Sequence, residues 1–532
     1  MISSFSFSTA SRRRARPRLP ERPVAALGPR LIRDATLLLA VWAIAGCGAV
    51  DGWLGGGGPE RTPAKAIWIA PDSAELTPSL ASRLEAVGVE EILLTVATFD
   101  GDSLVRHDPP DLPTGRPLHM AIGGRLSARS ADAAETAAER VSEAARQIRL
   151  DLEGRGLLVS GICLDFVEVA DLDAYAAFLE SFHDRLDDDE LLVTASFQRG
   201  WERRDGARGV ADAVDSLIAF FYGQRLDEAE DADAWDFLVL EQRLEDLEAL
   251  RVPYQLGIVT VGSAKISDAR GAEIQATTRA AMQDILWNRD LKLRPGFTLD
   301  GVNRRVYALG AERPSQLGDT PIPRDGTVRV VRMASADLEE LQRLLEVWDL
   351  PNYRGQVFYR LAGEGETLST SAESLMAALD PDRPVQPDLK LEVALQRRTG
   401  RGWLVRFAIA NGNGEFTELA MIDNNFLQVR ALDGRFSGSN LSLGDFYRFE
   451  LYRERGGELK KTFRDAGVVR LHVPMLEGDQ RISTGDVEVV GRREPSFEVF
   501  ARFLLPDGST HELGPARWSG GSFADAPTND GG

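Results

Sequence analysis

Hydrophobic residues fall along this chain in two rhythms, which divide it. From residue 66 to about 380, short unbroken apolar runs alternate with segments of helical period. The runs are AIWIA (66–70), ILLTVATF (92–99), LHMAIGG (118–124), LLVSGICLDFVEV (157–169), LLVTASF (191–197), SLIAFFYG (216–223), YQLGIVTVG (254–262), RVVRMA (329–334) and QVFYRL (356–361). Between them, apolar residues recur every three or four positions. Examples are Leu76, Leu80, Leu84 and Val87, then Ala134, Ala137, Val141, Ala144, Ile148 and Leu152. Such spacing marks helices with one buried stripe. Continuous apolar strands are buried on both faces, as in a parallel sheet wrapped by helices. Further helices are expected over 171–186, 234–250, 271–287, 336–348 and 371–379.

Nine strand candidates exceed the eight of a closed (β/α)8 TIM-like barrel. RVVRMA is therefore assigned with RRVYALG (304–310) to an excursion, and QVFYRL becomes the closing strand. A doubly wound open sheet is the alternative. After PDRPVQP (381–387) the rhythm changes to short strands, several alternating, with turns such as NGNG (411–414), LDG (432–434) and PDG (506–508). LKLEVALQR, WLVRFAIAN, TELAMID, FLQVRAL, FYRFELYR, VVRLHVP, DVEVVG and FEVFARFLL, with no long helix, predict an all-β sandwich over 388–518. The barrel is expected over 65–380, with 381–387 a linker crossed by few contacts and 519–532 a disordered tail.

The first 64 residues follow neither rhythm. SRRRARPRLPERP is basic, and TLLLAVWAIAG (36–46) is apolar but short for a membrane span. Ile44-Ala45-Gly46-Cys47 ends this run and resembles the signal of bacterial lipoproteins, which implies cleavage before Cys47 and lipidation of its thiol. Residues 48–64 read as a Gly- and Pro-rich tether. A chain anchored in this way belongs to the bacterial cell envelope. Gly48 differs from the Asp that resembles an inner-membrane retention signal, which favours the outer membrane.

Charge and composition narrow the chemistry. The 532 residues carry a net charge of −20, and removing residues 1–46 takes away eight arginines and two acids, leaving −26. So acidic a chain repels nucleic acid. With Cys47 used for lipid, Cys163 stands alone as a small core residue, and no disulfide framework exists. No phosphate loop or nucleophile elbow is present, and the five scattered His and two Cys offer no metal-ligand spacing, so no cofactor or metal is expected.

In a parallel barrel, function gathers at the carboxyl ends of the strands. The polar and aromatic residues expected there are Asp165 and Glu168 on the fourth strand, Gln198 and Trp201 after the fifth, Tyr222 and Gln224 on the sixth, Thr260 on the seventh, and Tyr359 and Arg360 on the eighth. Glu364 and Glu366 lie just beyond. Carboxylates supply acid–base chemistry and rings stack on sugar faces, so this rim suits a glycan.

SGICLDFVEV resembles the fourth strand of chitinase-like barrels of glycoside hydrolase family 18, whose pattern is DGxDxDxE. Gly161 matches its Gly and Asp165 its last Asp. Ser160 and Cys163 replace the first two acids, and Val167 stands where the catalytic Glu belongs. Glu168 comes one residue late, which in a regular strand faces the other way. AFFYGQ resembles the M-x-Y-D of the sixth strand, with Tyr222 matching its Tyr and Gly223 replacing its Asp. The lipoprotein signal together with LDF on the fourth strand resembles an uncharacterised bacterial lipoprotein family distantly related to glycosidases.

The resemblance implies a polysaccharide ligand. It implies either hydrolysis, with Asp165 or Glu168 as catalytic acid, or a catalytically inactive glycan-binding or structural and assembly lipoprotein. An aromatic platform of Trp201 and Tyr222 is the sign expected of a binding protein. Arg360 or Tyr222 is the expected partner of Asp165.

Overall fold

The computed structural model describes residues 63–101, 103–186, 191–220, 237–293, 305–363, 365–380, 387–398, 400–412, 415–420 and 424–523. Eight strands form the first core: β1 (Ala64–Ile69), β2 (Val89–Asp100), β3 (Pro117–Leu126), β4 (Leu158–Val169), β5 (Leu192–Phe197), β6 (Ser216–Phe220), β7 (Tyr254–Val259) and β8 (Tyr353–Tyr359). Each pairs in parallel with the next, and β8 pairs with β1, so the sheet closes. This is a TIM-like barrel, as the continuous apolar runs predict.

The surrounding helices are α1 (Pro78–Ala86), α2 (Ala131–Gly154), α3 (Leu172–Arg185), α4 (Ala207–Asp212), α5 (Phe237–Leu250), α6 (Ser335–Val347) and α7 (Ala372–Leu379). Their starts are written in the sequence. Thr77, Ser130, Asp171 and Ser371 each accept a hydrogen bond from a backbone N–H of the following first turn. Such caps are each worth about 1 kcal/mol. On α2, Ala134, Val141, Ile148 and Leu152 are buried, as their spacing requires.

The excursion between β7 and β8 is larger than the sequence suggests. Residues Ser263–Ser267, Glu273–Thr277, Leu291–Leu293, Arg305–Ala311 and Thr327–Arg332 form a separate five-stranded sheet, antiparallel throughout. The assignment of RVVRMA to an excursion therefore holds, and α6 leads the chain back to the barrel. The long helix expected over 271–287 is absent. Its first half pairs as a strand with Ser263–Ser267, and only Met282–Leu286 is helical. Ladder bonds to a neighbouring strand satisfy the backbone of EIQAT and override its helical spacing.

The C-terminal region consists of antiparallel sheets. One contains Leu389–Arg398, Gly402–Asn411, Val487–Val490 and Arg435–Leu441, with Arg481–Ser483 pairing beside Gly402–Asn411. The other has seven strands, with Phe426–Ala431 between Val468–His472 and Phe497–Leu504. Phe407, Phe436, Phe497 and Trp518 are buried between them. Residues 417–420 of the expected strand TELAMID are not in a strand, and 421–423 lie outside the described residues. So do 381–386 of the linker.

The expectation that few contacts join the two halves is not met. The Arg332 guanidinium, on the last strand of the excursion, bonds both carboxylate oxygens of Glu477 at 2.9 and 3.0 Å and lies 3.8 Å above the Phe416 ring. Tyr307 donates to Glu418 at 2.8 Å, and Trp287 Nε1 to the Asp445 carbonyl at 2.7 Å. Phe416 and Met475 are buried in the excursion's own core. Acidic and apolar residues of the sandwich thus meet cationic and apolar residues of the excursion.

Candidate active site at the barrel mouth

Pleat and register decide which residues of β4 face the barrel axis. Phe166 packs against Tyr175 and Phe178 of α3, so Ile162, Leu164 and Phe166 point outward. Gly161, Cys163 and Asp165 therefore point inward. Cys163 is fully buried with its Sγ 4.0 Å from Ser196 Oγ, consistent with a small core residue.

Asp165 lies beside Gly123 of β3. A Cβ built on Gly123 would sit 3.3 Å from Asp165 Oδ2 and 3.2 Å from its carbonyl, so glycine leaves room for the acid. Asp165 is 8% exposed near the carboxyl end of the strand. Its charge is felt by Tyr359. Burial raises the Tyr359 phenol above its ordinary value, and Asp165 raises it further.

Glu168 is placed by a β-bulge. Asp165 pairs with Gly123 and Phe166 with Gly124, but Arg125 pairs with Glu168, leaving Val167 as the extra residue. A bulge re-aims the side chains beyond it. Glu168 takes the position that Val167 would hold in a regular strand. It is two register steps from Asp165 on the same side, roughly 7 Å along the strand. The expectation that Glu168 turns to the opposite face is therefore corrected. Glu168 is bonded to Arg125 Nε at 2.6 Å.

The remaining mouth residues divide into two groups. Leu164 is level with Ala195 on β5, so Ser196 is beside Asp165 and Gln198 stands two residues nearer the opening. Gln198 is 9% exposed, and its Nε2 has no hydrogen-bond partner among the described residues. Tyr359 meets Trp68 of β1 edge-on at 5.1 Å and Phe220 of β6 at 5.8 Å, forming an aromatic floor. Trp68 Nε1 is held by Thr95 of β2 at 2.8 Å.

Trp201 and Arg360 belong to the frame. The Trp201 ring packs between Phe197 and Tyr175 at 5.7 and 5.9 Å and is buried, so it offers no platform to a ligand. Arg360 makes two bonds to Glu366, at 2.9 and 2.8 Å, and one to Asp72 at 3.0 Å. It ties the loop after β8 to the loop after β1. Burial alone would raise the Glu366 carboxyl, but bonds from Arg360, the Gly363 N–H and Thr278 hold it below the usual carboxylate range. Thr260 donates to the Arg360 carbonyl at 2.9 Å. Tyr222, Gln224, Glu364 and Cys47 lie outside the described residues.

Sequence reasoning missed Trp68, Gly123 and Arg243. Arg243 reaches from α5 to the Phe220 carbonyl at the end of β6 and pairs with the buried Glu202 at 3.2 Å. Burial lowers its guanidinium to about 10, against the pull of Glu202. In sequence it is one charge among many on an acidic helix, which gives no signal.

No family model matches this chain. A phosphoribosyl imidazole-carboxamide isomerase of Aquifex aeolicus is 42% identical over 55 residues, 10% of this chain and 23% of that enzyme. The chain therefore covers under a quarter of that relative. Among solved structures, a chitinase from Chromobacterium violaceum aligns with 61% of this chain and 100% of its own, at 15% identity and a TM-score of 0.40. The protein YKL-39, solved in the presence of chitooligosaccharides, aligns with 61% of this chain and 100% of its own, at 11% identity and a TM-score of 0.38. The chain has distant structural similarity to chitinase-like barrels, and the likeness is one of fold.

Proposed function

We propose that the barrel mouth binds a glycan and does not cleave it. The observation that carries this reading is the buried Gln198 amide, whose Nε2 has no partner among the described residues, two residues nearer the opening than the level of Asp165 in a mouth that also holds the Trp68–Phe220–Tyr359 rings. A buried donor without a partner costs about 1–3 kcal/mol unless a ligand satisfies it. Sugar hydroxyls accept from an amide and donate to a carboxylate, and their C–H faces rest on rings. Against cleavage stands the Arg125 partner of Glu168, the acid that the bulge brings to the register position of the family's Glu.

Hydrolysis is the second reading, favoured by the bulge that brings Asp165 and Glu168 to one side at a separation compatible with two-carboxylate chemistry. Titration calorimetry of residues 65–518 with chitooligosaccharides and soluble peptidoglycan fragments, alongside an assay for new reducing ends, decides between them. The expected result is saturable binding without release. Steady release of reducing ends abolished by Glu168→Gln establishes hydrolysis instead, and absence of any binding overturns both.

The lipid anchor belongs to the same proposal. Ile44-Ala45-Gly46-Cys47 after an apolar core supports lipidation of Cys47 and residence in the cell envelope, with Gly48 favouring the outer membrane. Cys47→Ser is expected to abolish detergent-phase partitioning and the lipid mass at the mature N-terminus. An unchanged mass rules the lipid out.

A further inference from the structure

A cleft of about 580 Å³ opens where the barrel, the excursion and the sandwich meet. Its barrel wall is the loop that follows β8, from Leu361 to the start of α7, and so begins two residues from Tyr359 on the mouth floor. The sandwich supplies Phe416 and the turn Glu477–Gln480, and the excursion supplies Met282 and Arg332. The volume lies within the range of sites that hold small organic ligands, roughly 300–1,000 Å³, and such sites favour domain boundaries.

The chemistry of the walls is mixed. Leu361, Met282 and Met333 are apolar, whereas Ser371, Gln480 and Asp479 carry hydroxyl, amide and carboxylate groups. A lining that mixes hydrogen-bonding groups with apolar surface suits a ligand with hydroxyls at its edges and C–H groups on its faces. The wall is also rigid. The bonds of Arg360 to Glu366 and Asp72 fix the loop, and Glu366 itself lines the cleft. The same arginine adjoins Tyr359, so one braced loop borders both mouth and cleft.

We propose that the cleft is an extended subsite: a glycan chain held at the barrel mouth continues over the loop after β8 and is gripped a second time against the sandwich. This rests on the glycan-binding reading of the mouth. It makes the preferred ligand a linear oligosaccharide of several residues, and it gives the sandwich a direct part in recognition.

Length dependence tests it. The wild-type protein is expected to bind a chitohexaose about tenfold or more tightly than a chitobiose, tenfold being 1.4 kcal/mol. Ala372→Trp, at the half-exposed first position of α7, places a large ring in the cleft without touching the mouth. It is expected to bring hexaose affinity to within about threefold of biose affinity while leaving biose affinity unchanged. Ala74→Trp, which also lines the cleft, serves as a second variant, and thermal melts confirm that each folds. Equal affinity for short and long chains in the wild type, or unaltered hexaose affinity in both folded variants, overturns the subsite alone. Failure of the wild type to bind either sugar overturns the mouth reading and the subsite with it.

Discussion

At the scale of single residues, Asp165 shows how a fold accommodates a charge. It lies on the inward row of β4, where Gly123 leaves space beside it and the strand's end leaves a path to water. Arg360, the cation nearest to hand in sequence reasoning, is committed to Glu366 and Asp72. A ligand-facing role predicts that Asp165→Asn keeps stability within about 1 kcal/mol and lowers glycan affinity about tenfold or more. Denaturant melts and calorimetry on one variant check both. A stability loss of about 2–4 kcal/mol with unaltered affinity would make Asp165 a framework residue.

At the scale of elements, the bulge on β4 matters most. It inserts Val167 and hands its register position to Glu168, so the late acid regains the side of Asp165. Gly124 lies directly before it on the partner strand with φ +130°, and a Cβ there would sit 2.0 Å from the Phe99 carbonyl, so this close approach requires glycine. Deleting Val167 should remove the bulge while keeping Glu168 level with Arg125, at a cost below about 2 kcal/mol. Deleting Leu164 should prevent folding, because it turns the strand's inward row outward. Expression with circular dichroism distinguishes the two. A Val167 deletion that fails to fold would show that the bulge is required.

At the scale of the whole molecule, the excursion joins the barrel to the sandwich through a buried ion pair. The Arg332 side chain is 4% exposed and that of Glu477 15%. Arg332→Leu leaves Glu477 without its partner. It is expected to cost about 3–5 kcal/mol and to separate the unfolding of the two halves in calorimetry. A single unshifted transition contradicts that.

The sandwich carries its own pH limit. Burial alone would raise the Glu450 carboxyl, but bonds from Lys461 and Tyr452 and the charges of His472 and Lys461 hold it at about 2, against an ordinary 4.5. A carboxyl depressed on folding adds stability above its unfolded value, and this is lost as pH falls through the folded one. Chemical melts should weaken between about pH 4.5 and 2, and Glu450→Gln should flatten that slope.

Much of this architecture is legible in the sequence. Continuous apolar runs fixed burial on both faces, and their alternation with capped helices fixed the barrel, because periodicity and capping are local properties of sequence. Asp165, as an acid in an apolar strand, also marked where to look. Four features required the tertiary structure: the strand made from the expected helix over 271–287, the bulge at Val167, the burial of Trp201, and the commitment of Arg360 to Glu366. Each depends on a partner distant in sequence or on a neighbouring strand's register. A bulge is chosen by the ladder on the adjoining strand, and a guanidinium finds its carboxylate through loops that only closure of the barrel brings together. Sequence thus determined which residues are apolar, charged or able to cap. The closed fold determined which of them share a side, and with that the shape of the mouth.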